Sequence, residues 1–239
     1  MQSLHPAWWG LAVSGLAALL ATLLPAHFAG TAVAALFLGA TYLLALRADQ
    51  PAEPWGLSFG GLLERAPLDV RKLLGTAARA AGLGTLAVVA VAPAYTMGFV
   101  LWHRPSAPFD LGRALFLTAG GLPSLSLLDL ALGHLLVVAL PEEAFFRGYL
   151  QSALDRRHPP RVRLWGATLG PGLLLSGLLF ALGHWLSVPD VGRLAVFFPS
   201  LLFGWLRAKT GGIGAAMVCH ALCNLYVIVL GAGFGLSLG

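Results

Sequence analysis

Apolar residues run through this chain in seven long blocks, at 8–24, 28–46, 80–102, 125–150, 165–186, 191–206 and 213–230. Short polar stretches between the blocks hold most of the charge. A helix needs about 20 mostly apolar residues to cross the hydrocarbon of a bilayer, and the blocks are of that order. The fourth is long enough to project past it. The pattern predicts an all-α, polytopic membrane helical bundle of about seven transmembrane helices. Residues 1–239 form a single integral-membrane domain in this reading. Its first spans and an interfacial segment fall in 1–110, and a four-helix core in the C-terminal half falls in 120–235.

The longest polar connection is 47–79. Its first part, with Pro51, Pro54 and Gly56, is loop. Residues 62–78 mix the pairs Leu62-Leu63 and Leu73-Leu74 with Glu64, Arg65, Asp69, Arg71 and Lys72, and Pro67 interrupts them. That mixture reads as a segment lying on the membrane surface or as an ordinary solvated loop. Basic residues are unevenly placed. Arg47, Arg65, Arg71, Lys72, Arg79, Arg156, Arg157, Arg161, Arg163, Arg207 and Lys209 fall on one side of a seven-span chain, and only Arg104, Arg113 and Arg193 on the other. The excess of Lys and Arg in cytoplasmic loops then places the N-terminus in the cytoplasm and the C-terminus outside.

Composition agrees. Of 239 residues 58% are hydrophobic and 10% charged, where a soluble domain carries about 25% charge. The net charge of +5 sits in loops, where it meets anionic headgroups. No basic patch interleaved with aromatics appears, so no nucleic-acid partner is expected. Cys219 and Cys223 lie four apart on one predicted helix and do not make a disulfide framework. The N-terminus has no basic n-region and no clear small-x-small cleavage site, so its first apolar block reads as a retained span.

Three patterns then stand out as polar groups in the wrong solvent: Glu142-Glu143-x-x-x-Arg147, Phe180-x-x-x-His184 and His220-x-x-x-Asn224. An ionisable side chain at the centre of a membrane helix costs roughly 2.5–3.5 kcal/mol or more. Pro141 precedes the glutamates, and a proline inside a helix frees a carbonyl and bends the chain. Glu143 and Arg147 are four apart and can pair on one helix face. Glu142 lies about 100° around the helix, without a partner in its own segment. The same residues would also suit the watery cytoplasmic end of a span, although Ala144, Phe145 and Phe146 separate the charges. His184 alone reads equally well as a packed residue bonded to a neighbouring carbonyl. His220 and Asn224 share a face of the last span, and an asparagine there also serves as interhelical glue.

Taken together, the groups suit the hydrolysis of an amide. A carboxylate and a histidine hold and deprotonate water, and a second histidine with an asparagine amide offers donors to an oxyanion. Other chemistries lack their residues: there is no His-Glu-x-x-His, no Gly-x-Ser-x-Gly, and only Asp129 as an intramembrane aspartate. Asp129 and His134 on the fourth span read as satisfied structural groups. Cys219 and Cys223 read as packing residues, with a Cys-His metal cluster as the other possibility. Gly166, Gly170, Gly172, Gly177 and Gly183 are expected to permit close helix packing.

The ordered series of Glu-Glu-x-x-x-Arg, Phe-x-x-x-His and His-x-x-x-Asn on successive late spans resembles the CPBP family. That family comprises the CAAX prenyl endopeptidases, the bacteriocin-processing and immunity proteins and related intramembrane proteases also called Abi. The resemblance covers about 125–230. It implies a glutamic-type intramembrane endopeptidase in which Glu142 activates water, His184 shares that water, and His220 and Asn224 stabilise the oxyanion. Glu143 and Arg147 support the geometry. The resemblance carries both a metal-free glutamate mechanism and a metalloprotease label; no cofactor is the expectation, with zinc held by Glu142, His184 and His220 as the alternative.

The implied reaction is cleavage of a peptide bond near the membrane-embedded or lipid-modified end of a protein substrate, in a bacterial inner membrane. The partners are that membrane protein or lipidated peptide and the bilayer itself. The alternatives are a non-catalytic immunity or scaffold protein of the same fold, a C-terminal anchor-sorting (myxosortase-like) protease, and a small proton-coupled transporter. One geometric demand follows. With span five at 165–186, His184 lies near its outer end while His220 lies near the inner end of span seven. For them to meet, span five must start near Pro171 or bend there, and 161–170 should be partly interfacial.

Overall fold

The computed structural model describes residues 4–46, 51–63, 67–115 and 124–236. Arg47, Glu64 and Arg65, which enter the charge and interfacial readings above, lie outside the described residues. So do 116–123, which fall around the expected boundary between the two regions.

The chain is a bundle of helical rods with one small hairpin. Helices α1 (Pro6–Leu23) and α2 (Ala26–Thr41) form an antiparallel pair, and α2 ends in a π-helical turn over Tyr42–Leu46. Two short 3-10 turns precede α3 (Val70–His103), and α4 (Leu111–Leu115) follows it. The next rod is continuous but irregular. It runs through α5 (Ser124–Leu132), a π-helical stretch (Gly133–Ala139), α6 (Leu140–Glu143), a second π-helical stretch (Ala144–Gln151) and α7 (Ser152–Arg157). An antiparallel hairpin of β1 (Val162–Leu164) and β2 (Ala167–Leu169) leads into α8 (Pro171–Ser187). A 3-10 segment (Val191–Val196), α9 (Phe197–Thr210) and α10 (Gly214–Phe234) complete it.

Five helices among the described residues are long and apolar enough to cross a membrane: Pro6–Leu23, Ala26–Leu46, Val70–His103, Val191–Thr210 and Gly214–Phe234. α8 is apolar but shorter. With the broken rod these make the multi-pass helical membrane protein that the hydrophobic blocks predict. Its outer surface is apolar, as a lipid solvent requires: Leu86, Val89, Met97 and Leu101 of α3 all stand exposed.

Two boundaries differ from the sequence reading. The helix that carries the third span begins at Val70 rather than at residue 80, because Asp69 caps it by accepting from the Lys72 amide. The segment expected to lie on the membrane surface is therefore, from Val70, the first turns of α3. Its charged face had hidden a strong run of helix formers. Span five begins at Pro171, as the meeting of the two histidines demands. Residues 162–169 are strand and turn, with Trp165 and Gly166 at positive φ, and Pro171 is favoured in the first helical turn because its missing N–H needs no partner there.

The irregular rod has a local cause. Pro141 has no N–H to give and its ring crowds the carbonyl one turn back. The wide turns of Gly133–Ala139 lie immediately before that position, and such π segments gather at functional sites.

Two apolar cores flank this rod. One joins Val13 and Ala17 of α1, Phe37 of α2, Phe145, Phe146 and Leu150 of the rod, and Leu179 and Phe180 of α8. The other joins Ala87 of α3, Phe203 and Leu206 of α9, and Ala216, Cys219 and Cys223 of α10. Both cysteines are buried thiols, packing residues as expected.

The bundle has two distinct ends. At one, Arg156 and Arg207 both donate to the Pro54 carbonyl, and Lys209 donates to the Trp165 carbonyl of the hairpin. At the other, the Asp110 amide donates to the Gly233 carbonyl of α10, and Gly192 sits against the Trp102 indole at the end of α3.

Asp155, at the basic end, lines a crevice of about 250 Å³ with Gln151, Arg156 and Arg207. Burial pushes its carboxyl up to about 6 against the pull of Arg207. A carboxyl with a raised folded-state pKa binds more protons folded than unfolded, so its ionisation lowers stability as pH rises from about 4 to about 6. Asp155→Asn should therefore raise the unfolding midpoint in detergent at pH 7.5, by on the order of 1 kcal/mol after allowance for solvent screening. That advantage should vanish near pH 4. A second test concerns α3 and α10, which pack most extensively. A Cβ on Gly84 would lie 2.8 Å from the Ala215 carbonyl oxygen and 2.8 Å from Val218. Gly84→Val should cost about 1–3 kcal/mol of stability in the same assay, whereas at Gly10 an added methyl meets only the ends of leucine side chains and no backbone, and Gly10→Ala should cost less.

Candidate active site

The two glutamates face different surroundings. Glu143 and Arg147 are four residues apart on the rod, and both side chains are wholly buried. Arg147 Nη1 lies 3.2 Å from Glu143 Oε1, the pairing that the spacing predicts. Their complete burial removes the reading in which these charges sit in water at the end of a span.

A buried guanidinium needs more than one partner. Arg147 Nη2 donates to the Ser200 hydroxyl at 2.8 Å and to the Ser200 carbonyl at 3.0 Å. Its carbon lies 4.6 Å from the Phe180 ring centroid and 5.3 Å from that of Phe203, within cation–π range. α8 and α9 thus supply the rest of its environment. Ser200 and Phe203 were missed by the sequence reading. A serine and a phenylalanine in an apolar helix carry no signal of their own.

Glu143 has a second role that spacing cannot reveal. His220 Nδ1 donates to Glu143 Oε1 at 2.9 Å. The His220 ring also stacks on Phe203, with centroids 4.8 Å apart and planes within 11°, and meets the edge of Phe180. Orientation by a carboxylate at one nitrogen leaves the other, Nε2, for a different partner. That nitrogen lies 3.8 Å from Glu142 Oε2, too long for a direct hydrogen bond. Glu142 Oε2 is itself buried and without a hydrogen-bond partner.

Glu142 and His184 line one cavity of about 200 Å³. Ser14 and Ala17 of α1, Phe37 of α2, Phe146 of the rod and Gly183 of α8 form its walls. His184 Nδ1 donates to the Phe180 carbonyl one turn back, at 3.0 Å. In the neutral ring Nε2 is then the acceptor. The bland reading of His184, a histidine bonded to a nearby carbonyl, describes one of its nitrogens and not its place in the cavity.

Asn224 is half-buried one turn beyond His220 on α10, and among the described residues its side chain makes no hydrogen bond. The expected motif residues thus fall into two groups. Glu142, Glu143, Arg147 and His220 are joined by contacts, with His184 across the cavity, while Asn224 stands apart without a polar partner. Asp129 is exposed, and His134 Nδ1 is buried without a hydrogen bond. Neither is the satisfied structural group expected of it.

His220 Nδ1 is engaged by Glu143 and His184 Nδ1 by a carbonyl, which leaves Nε2 of each ring as the nitrogen turned to another partner. Among the described residues no three His, Cys, Asp or Glu side chains are placed to hold a metal ion.

Residues 123–226 match the family model Rce1-like, described as type II CAAX prenyl endopeptidase Rce1-like. The match spans all three motifs and agrees with the family resemblance they carry. No curated protein matches the chain, and no solved structure does.

Breaking a buried ion pair by removing one partner strands a charge and costs about 3–5 kcal/mol. Arg147→Met should therefore lower the unfolding midpoint severely. Ser200→Ala should lower it by a smaller step of about 1.5–3 kcal/mol, the worth of a hydrogen bond to a charged group. Differential scanning fluorimetry of the purified protein reads both.

Proposed function

We propose that this chain, whose residues 123–226 match the Rce1-like family model, hydrolyses a peptide bond close to the membrane-embedded or lipid-modified end of a protein substrate. The observation that carries the reading is the Glu142 carboxylate. Its Oε2 is buried without a hydrogen-bond partner, the partly buried side chain lines a cavity shared with His184, and it is backed by the Arg147–Glu143–His220 chain.

In this mechanism a water in the cavity is held between Glu142 and His184. Glu142 takes a proton as the water oxygen attacks the scissile carbonyl. The carbonyl oxygen becomes an oxyanion in a site of low dielectric, where preorganised donors count most. His220 donates to it from Nε2, with Nδ1–H fixed on Glu143. Asn224 turns its amide to the same oxygen once substrate is present. The tetrahedral intermediate collapses as Glu142 returns its proton to the departing nitrogen. As the donor at both ring nitrogens, His220 acts in this step as the imidazolium. We take the reaction to need no metal, with Nε2 of His184 left to the water and Nε2 of His220 to the oxyanion. The setting is a bacterial inner membrane with the N-terminus in the cytoplasm, in keeping with the basic end of the bundle.

Glu142→Gln should cut kcat by about 10²–10⁴ and leave the unfolding midpoint close to that of the wild type. Cells carrying it should accumulate an uncleaved membrane protein, seen by comparative membrane proteomics. His184→Ala and His220→Ala should likewise block cleavage, the second with a loss of stability because it strands Glu143, and cleavage by purified enzyme should survive EDTA. Intact cleavage in the Glu142→Gln variant would sink the protease reading in favour of a non-catalytic partner. Loss of activity in EDTA with recovery on zinc alone would sink the metal-free one.

A further inference from the structure

The cavity that holds Glu142 and His184 is directional. Phe180 meets the His220 ring, and His184 lies one helical turn further along α8. Ser187 and Val188, at the end of the same helix, continue the lining, and Arg193 of the following 3-10 segment completes it. The cavity therefore climbs from Phe146 towards the 188–196 connection, the end of the bundle where Gly192 meets Trp102.

The opposite direction is closed. Beneath Phe146 lie Arg147, Leu150 and Leu154, each fully buried. Ser176 donates to the Phe146 carbonyl and Gln151 to the Gly204 carbonyl, tying α8 and α9 to the rod at this level. Beyond this plug lies the basic end, with Arg156, Arg157, Arg161, Arg163, Arg207 and Lys209. An end so rich in Lys and Arg faces the cytoplasm in an inner membrane.

We infer that the site is loaded from the extracytoplasmic side, and that its substrate is an exported, membrane-anchored polypeptide cut in the outer half of the bilayer. This rests on the hydrolytic reading above. The walls specify the flanking residues. Ala17, Val33, Phe37 and Phe146 are apolar, and a cavity of about 200 Å³ suits small or medium apolar side chains beside the scissile bond rather than bulky or charged ones.

Single cysteines read by a membrane-impermeant stilbene disulfonate maleimide test this in intact bacterial spheroplasts making the full chain. The native Cys219 and Cys223 are buried and serve as the background control. Val191→Cys, on an exposed residue beside the cavity mouth, should label in intact spheroplasts. Arg157→Cys, at the basic end, should label only after lysis. Val188→Cys, in the lining itself, should label from outside, and that labelling should abolish cleavage of whichever membrane protein accumulates in Glu142→Gln cells. The reverse pattern, with Arg157→Cys labelled first, overturns the inference. So does a Val188→Cys thiol that reacts only after lysis while Val191→Cys reacts before it. The two readings fail separately. Correct sidedness with no protein accumulating in Glu142→Gln cells removes the protease. Accumulation with reversed sidedness removes only the direction of loading.

Discussion

A guanidinium buried in an apolar bundle organises this structure. Arg147 has no exposed surface, and an uncompensated charge there would cost many kcal/mol. Its compensation is assembled from separate helices: Glu143 from the rod, Ser200 from α9, and the faces of Phe180 from α8 and Phe203 from α9. α10 joins through His220, which shares the Glu143 oxygen. Satisfying one charge thus brings together the four helices on which the three motifs lie or pack. The rings that cover the guanidinium also hold the His220 imidazole, so stability and the aim of a candidate oxyanion donor come from the same contacts.

The two adjacent glutamates owe their different fates to helix geometry. A step of one residue turns the side chain by about 100°. Glu143 turns into the bundle, where Arg147 and His220 meet it. Glu142 turns towards the cavity, where the nearest basic nitrogen, His220 Nε2, stays 3.8 Å away. A carboxylate used up in a structural pair is a poor base, and one left without a hydrogen bond beside a cavity is available to take a proton. Placing them side by side lets the first hold the histidine that faces the second. An Arg147–Glu143 pair alone would neutralise charge without aiming anything.

Local spacing made part of this legible. The i, i+4 relation of Glu143 and Arg147, the shared face of His220 and Asn224, and the isolation of Glu142 all follow from 3.6 residues per turn. The hydrophobic blocks marked the helical rods for the same reason, since lipid demands long apolar stretches. What stayed hidden was relational. Nothing near Ser200 or Phe203 says that they face Arg147, 53 residues away in the case of Ser200. The Glu143–His220 bond spans 77 residues and changes the meaning of the second glutamate. The start of α3 was hidden by its charges, because a polar face on a membrane helix looks like a loop to a hydropathy reading. His134 and Asp129 were misjudged because neighbours, not spacing, decide whether a polar group is satisfied.

The starting point of α8 shows how a connection sets chemistry. At 1.5 Å per residue, Phe180 lies about 13–14 Å along α8 from Pro171, and His220 about 9 Å along α10 from Gly214. Their rings are in contact, so the two helices must begin at nearly the same level. Had α8 begun at residue 165, where the apolar block begins, Phe180 would sit about 9 Å higher relative to a helix start at that level. The His220 ring would then face a different turn of α8. The hairpin removes that error by taking residues 162–169 out of the helix, and Lys209 on the Trp165 carbonyl and Trp205 on the Leu164 carbonyl hold it against α9. A feature far from the cavity, on the opposite end of the bundle, therefore fixes the depth at which His184 meets Glu142. The hydrophobic block marks where a span is possible, and the proline at its true start decides which residues share a level.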